Sequence, residues 1–155
     1  FLGSIILVDK NQQTFVIDGQ QRLTSLTLLL IYIYRKFGDN DQKQNLLNLI
    51  YSDTFGEKNF NLNIDDRTEC LEKLMNEGAY ETKEDDNESV KNLVDRYEDI
   101  ENNFSEKLTN VLPLFADWLK EKVFFVEITA QNDQDAYNIF ETKNERGLDV
   151  SRTEM

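Results

Sequence analysis

The chain has 155 residues and carries 30 acidic against 17 basic side chains, which gives a formal net charge of −13. Such an acidic chain is repelled by DNA, because affinity for nucleic acid depends on cationic side chains that neutralise phosphates. The length and an aromatic content of 11% predict one folded domain with a real core, and they exclude a disordered chain.

The chain contains no histidine and a single cysteine, Cys70. This composition excludes histidine-based triads, histidine-dependent nuclease chemistry, ordinary zinc sites and an internal disulfide. We interpret Cys70 as an ordinary packed thiol and expect a cytoplasmic protein. The apolar run at residues 26–34 is far shorter than the roughly 20 residues that span a bilayer, so no membrane segment is predicted.

The first predicted elements are a β-hairpin and a long helix. Apolar, β-branched runs at residues 3–9 and 14–17 are joined by four polar residues, a pattern typical of two antiparallel strands. Residues 20–37 are apolar almost all round the helix and are followed by Gly38, which predicts a buried central helix.

The next segments alternate between helix and strand. A helix is predicted at residues 42–51. Residues 58–64 alternate polar and apolar side chains, as a half-buried strand does. Asp65 or Asp66 is expected to cap a further helix that extends to about Met75.

Two amphipathic helices follow an acidic loop. Residues 76–88 are the least regular part of the chain and predict a solvated loop rather than a metal site. Apolar spacing then predicts helices at 89–103 and 112–120, the second anchored in the core by Trp118 and Leu119.

The last predicted elements are a strand at residues 123–129 and a helix at 133–143 that ends near Gly147. Tyr137 is expected on the inner face of this helix, and three phenylalanines are expected in the core: Phe124, Phe125 and Phe140. Residues 151–154 (SRTE) are typical of a capping box that starts another helix, so we expect a fragment of a longer protein, truncated at both ends.

A very polar turn between the second strand and the central helix is the first candidate site. It consists of Asp18, Gly19, Gln20, Gln21 and Arg22. A helix start offers unpaired N–H groups and a partial positive charge, and an arginine adds a planar fork of donors. An anion is the obvious ligand, although Asp18 is equally typical of an ordinary helix cap.

A second candidate cluster lies near the chain's end, at Asn144, Arg146 and Gly147. From the residues alone, glycine and a basic side chain here also suit ordinary helix C-cap chemistry. Thr24 is similar, because its hydroxyl can simply satisfy nearby backbone groups.

Phe1–Ile5 (FLGSI) with Ile17–Thr24 (IDGQQRLT), and Ile139–Leu148 (IFETKNERGL), resemble two signatures of a large bacterial family. Its members form the N-terminal half of GmrSD-type modification-dependent restriction enzymes and related phage-defence proteins. The resemblance implies an α+β fold similar to ParB and sulfiredoxin, with a small mixed sheet and an opening hairpin packed on a central buried helix. It further implies one domain over residues 1–155 with a helical insertion at roughly 66–121.

The resemblance also implies a domain that binds and hydrolyses a nucleoside triphosphate. Arg22 and the amides of Gly19 and Gln20 would contact the phosphates, and Gln21 would position the attacking water. Asp18 would either hold Mg²⁺ through water or orient Arg22.

The second signature would complete the nucleotide pocket. Asn144 and Arg146 would form its second wall, and Thr24 would add a hydroxyl at the helix start. The hypothesis fails if Arg22 is turned outward, or is locked against internal carboxylates, with Asn144 and Arg146 on a distant surface.

DNA cleavage would belong to a separate C-terminal nuclease domain, so this domain would meet DNA only through that domain or a partner. Two alternative functions remain open at this point. One is a ParB-like domain that binds or nicks DNA, against which the net charge of −13 argues. The other is a non-enzymatic scaffold for protein interactions, in which the polar turn is purely structural.

Overall fold

The computed structural model describes residues 1–11, 13–38, 41–54, 57–62 and 65–153, and of these the side chains of residues 54, 57, 65 and 145–153 lie outside the description. Its elements in chain order are β1 (Ser4–Lys10), β2 (Gln13–Asp18), α1 (Gln20–Lys36), α2 (Asp41–Ile50), β3 (Tyr51–Thr54), β4 (Glu57–Phe60), α3 (Thr68–Asn76), α4 (Glu88–Asn103), α5 (Glu106–Asn110), α6 (Leu112–Lys122), β5 (Val126–Ala130) and α7 (Asp133–Thr153). The predicted α+β class is confirmed.

The chain divides into two compact units, which we call unit 1 (residues 1–22 and 122–155) and unit 2 (residues 23–121). The predicted helical insertion at roughly 66–121 falls within unit 2. The grouping of all 155 residues into one domain stays a prediction. No helix in the described ranges is both long and apolar enough to cross a membrane.

Unit 1 is a three-stranded sheet covered on one face by a helix. β1 and β2 form the predicted antiparallel hairpin, and β5 pairs with β1 in parallel, so the strand order is β2-β1-β5. Side chains alternate across a strand, which places Ile6 and Val8 on one face, where they are fully buried with Ala136 of α7. The sheet and α7 therefore share a small apolar core.

Unit 2 is mainly helical, with the two-stranded sheet β3-β4. Its core combines aliphatic and aromatic side chains, and Leu28 and Ile31 of α1 are both fully buried in it. Arg35 of α1 donates from Nη1 to Met75 O and from Nη2 to Glu77 O, at 3.0 and 2.9 Å. These bonds satisfy carbonyls at the end of α3, which a helix C-terminus leaves without partners.

The predicted strand at 58–64 is wrong in its extent, because β4 ends at Phe60 and pairs with β3, which the sequence pattern did not predict. The backbone N–H of Asn61 donates to Ile50 O at 2.8 Å and its side-chain amide donates to Leu49 O at 2.8 Å. Asn61 thus binds the end of α2 instead of continuing the ladder. The end of the predicted strand, residues 63–64, lies outside the described residues.

The predicted cap of α3 is also wrong. A short 3₁₀ helix occupies Asp65–Arg67, so the residue that precedes α3 is Arg67 and neither Asp65 nor Asp66. Arg67 makes no side-chain cap bond. Aspartate is a preferred cap residue, but the 3₁₀ turn moves the start of α3 beyond both aspartates.

Helix α7 does not end at Gly147 as predicted, but continues to Thr153. One glycine inside a helix costs only about 1 kcal/mol relative to alanine, which is too little to end a helix by itself. Residues 151–153, predicted to begin a new helix, are the last residues of this one, and Glu154 lies outside the described residues. The C-cap reading of Asn144, Arg146 and Gly147 is therefore wrong.

Three aromatic residues predicted in the core are exposed instead: Phe124 by 57%, Tyr137 by 52% and Trp118 by 51%. Phe124 packs on Phe1 with ring centroids 5.8 Å apart, and Trp118 stacks on Phe115 at 6.0 Å. These rings find aromatic neighbours at the surface. The remaining two phenylalanines, Phe125 and Phe140, are half-buried.

Candidate functional site

The turn between β2 and α1 is one residue long. Asp18 is the last residue of β2, Gly19 has a φ of +97°, and α1 begins at Gln20. A Cβ at Gly19 would lie 2.6 Å from Cγ2 of Ile5, so space and backbone conformation both require glycine. The strand therefore passes into the helix with the Asp18 side chain held beside the first helical turn.

Asp18 binds two cations through a single oxygen atom. Its Oδ2 accepts from Nη2 of Arg22 at 3.2 Å and from Nζ of Lys143 at 2.5 Å. The side chain of Asp18 is 22% exposed, and those of Arg22 and Lys143 are each 35% exposed. We call these three residues the ion cluster, and their charges sum to one excess positive charge.

The backbone of the first residues borders the ion cluster. Nη1 of Arg22 is 3.4 Å from Leu2 O, and Nζ of Lys143 is 3.4 Å from Ser4 O. Gly3, between them, has a φ of +101°, and a Cβ there would lie 2.3 Å from Nη1 of Arg22. A side chain at position 3 would displace the guanidinium, which explains the glycine within the FLGSI sequence.

The pKa of the Asp18 carboxyl lies below its ordinary value of 3.8. Partial burial acts to raise the pKa, but the hydrogen bond and charge of Lys143, the charge of Arg22 and the Gly19 N–H together outweigh it. The carboxylate is therefore ionised at neutral pH and holds both cations in place.

A Mg²⁺ ion held by Asp18 through water stays a prediction, and the positive charges of Arg22 and Lys143 on Oδ2 oppose a third cation there. No group of three His, Cys, Asp or Glu side chains gathers as a metal site within the described ranges. Of the two roles predicted for Asp18, the geometry favours the orientation of Arg22 over metal binding.

The second signature does not lie far from the first, because Lys143 binds the same carboxylate oxygen as Arg22 does. Arg22 is therefore paired with Asp18 but is not isolated from the second signature. About a third of its side chain remains accessible, as does the same fraction of Lys143. Any anion that binds here must therefore approach a pre-formed ion cluster rather than a single free guanidinium.

The other candidates of the first signature are placed differently. Gln20 donates from Nε2 to Val16 O at 2.8 Å, so its side chain folds back on the hairpin. Gln21 is exposed in the first turn of α1. Thr24 belongs to unit 2, where it lines a small pocket with Arg67 and Leu71.

The second signature contributes a residue that was not predicted. Asn144 is exposed on α7, and Arg146 belongs to the same helix, although its side chain lies outside the described residues. Lys143, the neighbour of Asn144, is the residue that reaches Asp18. The signal for Lys143 was its place within IFETKNERGL, but a lysine on an amphipathic helix is ordinarily a solvated side chain.

A cleft of about 420 Å³ lies along α7, next to the ion cluster. It is lined by Asn138, Ile139, Thr142 and Lys143. Lys143 thus belongs to both features, because its ammonium binds Asp18 and the residue also lines the cleft.

The comparison with known proteins gives one positive finding. A family model described as "GmrSD restriction endonuclease, N-terminal domain" matches residues 1–155, which is the whole chain. No curated protein matches the chain. The matched range includes both signatures and the helical region between them.

Proposed function

The chain belongs to the family of GmrSD restriction endonuclease N-terminal domains, and we propose on this basis that it is the nucleotide-binding regulatory domain of a bacterial restriction system that acts against phage. The ligand would be a nucleoside triphosphate bound through its phosphates. DNA would be recognised and cut by other parts of the restriction enzyme, in the cytoplasm.

The observation that carries the proposal is the pairing of two accessible cations with one carboxylate. Arg22 has five N–H donors and Lys143 has three, and the contacts to Asp18, Leu2 and Ser4 use two on each side chain. The excess positive charge attracts an anion, and the remaining donors can bind phosphate oxygens. Asp18 would serve as the positioning residue that holds both cations ready.

Hydrolysis of the nucleotide is the second part of the proposal. Gln21 is exposed one residue before Arg22, a position from which its amide could place a water for attack on the terminal phosphorus. The bond between that phosphorus and the bridging oxygen would break, releasing inorganic phosphate and a nucleoside diphosphate. Phosphate release by a Gln21→Ala variant, compared with the unmodified chain, tests this role separately from binding.

Isothermal titration with each of the four ribonucleoside triphosphates, with and without Mg²⁺, tests the binding proposal. Arg22→Ala and Lys143→Ala should each weaken binding by roughly tenfold or more, since a hydrogen bond to a charged group contributes about 1.5–3 kcal/mol. Both variants should keep a cooperative thermal unfolding transition.

Lys10→Ala is the matched control, because Lys10 lies in unit 1 and forms an ion pair with Asp133, away from Asp18. The variant removes one positive charge and one ion pair, as the loss of Lys143 does. It should leave the affinity for the nucleotide within about twofold, and a surface ion pair contributes little to the stability of the fold. A folded, unmodified chain that gives no heat with any of the four nucleotides would overturn the proposal.

A further inference from the structure

We infer that the cleft along α7 binds the nucleoside portion of the ligand, with the base in contact with Ile139 and the side-chain amide of Asn138. This inference rests on the proposed function, because it assumes that the phosphates bind at Arg22 and Lys143. It adds a base-binding site and names the residue whose amide would contact the base edge.

The size and lining of the cleft suit a flat organic ring. A volume of about 420 Å³ lies in the range of small-molecule sites. Ile139 is apolar, and the other three lining residues carry polar groups that can fix the orientation of a ligand. Ile139 supplies an apolar wall and is itself packed against the core formed by Ile6, Val8, Ala130 and Ala136. This wall is therefore held in place by the unit's core.

The polar groups of the cleft have distinct roles. Oδ1 of Asn138 accepts from Nε2 of Gln134 at 3.1 Å, which orients the amide and leaves its two N–H donors for an acceptor atom of a base. Oγ1 of Thr142 donates to the backbone oxygen of Asn138 at 2.8 Å, so its hydroxyl proton is used within the helix. Asn138 is thus the uncharged side chain among the four lining residues whose hydrogen atoms remain to be donated to a base.

Lys143 connects the two halves of the binding site. Residues 138 and 143 are five positions apart on α7, about 7.5 Å along the helix axis. Asn138 lies at one end of this interval, and at the other end the ammonium of Lys143 joins the ion cluster. A nucleoside triphosphate matches this spatial order, because its base and sugar would occupy the cleft and its phosphates would contact the cations.

Titrations with inorganic tripolyphosphate and with the preferred nucleoside triphosphate separate the cleft from the ion cluster, because tripolyphosphate lacks a nucleoside. Asn138→Trp fills the cleft from an exposed position, and Asn138→Ala removes only the amide. Glu141→Trp is the matched control, since residue 141 is an exposed position on the same helix outside the cleft lining.

The expected result is that the unmodified chain binds the nucleotide at least tenfold more tightly than tripolyphosphate. Asn138→Trp should abolish this difference without changing tripolyphosphate binding, Asn138→Ala should reduce it, and Glu141→Trp should retain it. Equal binding of both ligands by the unmodified chain, or a difference unaffected by Asn138→Trp, overturns the cleft inference alone. Failure to bind either ligand overturns the proposed function and the inference with it.

Discussion

Unit 1 and unit 2 differ in both charge and core. Unit 2 carries 11 basic and 21 acidic residues, a net charge of −10, whereas unit 1 carries 6 and 9, a net charge of −3. Of the 25 apolar residues that are buried in the described part of the chain, 21 lie in unit 2. Among the side chains that the structure describes, unit 1 contributes only Ile6, Val8, Ala130 and Ala136.

The comparison teaches that the large apolar core and the candidate binding site lie in different units. The unit with the large core carries most of the acidic charge, while the ion cluster and the α7 cleft lie in the unit with the small core. An anion approaching unit 1 meets a weaker excess of like charge, which suits a phosphate ligand. The following predictions test this division.

The largest effect is expected in the core of unit 2. Ile31 is fully buried, so Ile31→Ala should lower the free energy of unfolding by about 2–5 kcal/mol through lost burial and the cavity left behind. Urea unfolding followed by the fluorescence of Trp118, the chain's one tryptophan, reports on this unit. Leu114→Ala, at a 69% exposed site in unit 2, should change the free energy of unfolding by less than about 0.5 kcal/mol. Similar losses for both variants would contradict the core described here.

A smaller effect is expected at the turn of unit 1. Gly19→Ala should lower the free energy of unfolding by about 1–3 kcal/mol, because alanine is strained at a φ of +97° and its Cβ would meet Ile5. Gly38→Ala is the control, since a Cβ there meets nothing within 4 Å. Thermal unfolding followed by circular dichroism measures both, and an unchanged stability of Gly19→Ala would show that the one-residue turn is not formed.

The smallest effect is expected in the ion cluster and depends on pH. A double-mutant cycle of Asp18→Asn and Lys143→Met should give a coupling of about 0.2–1 kcal/mol at pH 7, the range for partly exposed pairs. Because the pKa of Asp18 is lowered on folding, this stabilisation is present above pH 3.8 and is lost as the pH falls through the lower folded value. Urea unfolding over a pH series from 7 down through the acid range checks the sign. A coupling energy that increases as the pH falls would contradict an ion pair between Asp18 and Lys143.

Much of the fold follows from local patterns. The opening hairpin, α1, α4, α6 and β5 were all predicted, because each has a sustained period of apolar residues and clear polar or glycine boundaries. β3 was not predicted, since the sequence YSDT at residues 51–54 has no apolar alternation and its pairing depends on β4. The exposure of Trp118 and Tyr137 was not predicted either, because aromatic side chains ordinarily favour the interior of a protein.

The candidate site shows the same division between local and distant information. Asp18 and Arg22 are four positions apart at the start of a helix, so the spacing in the sequence is enough to predict that they pair. Gly3 and Gly19 are readable as turn residues, but the close approach of Arg22 and Ile5 that requires glycine appears only in three dimensions.

The sequence by itself determined the α+β class, the polar turn before α1 and the membership of a restriction-enzyme family, because these depend on residues that are neighbours along the chain. Only the tertiary structure decided that Lys143 reaches Asp18 across 125 positions and that Arg22 shares its counter-ion. The parallel pairing of β5 with β1 and the packing of α7 on the sheet bring these charges together, and no local pattern encodes that distance.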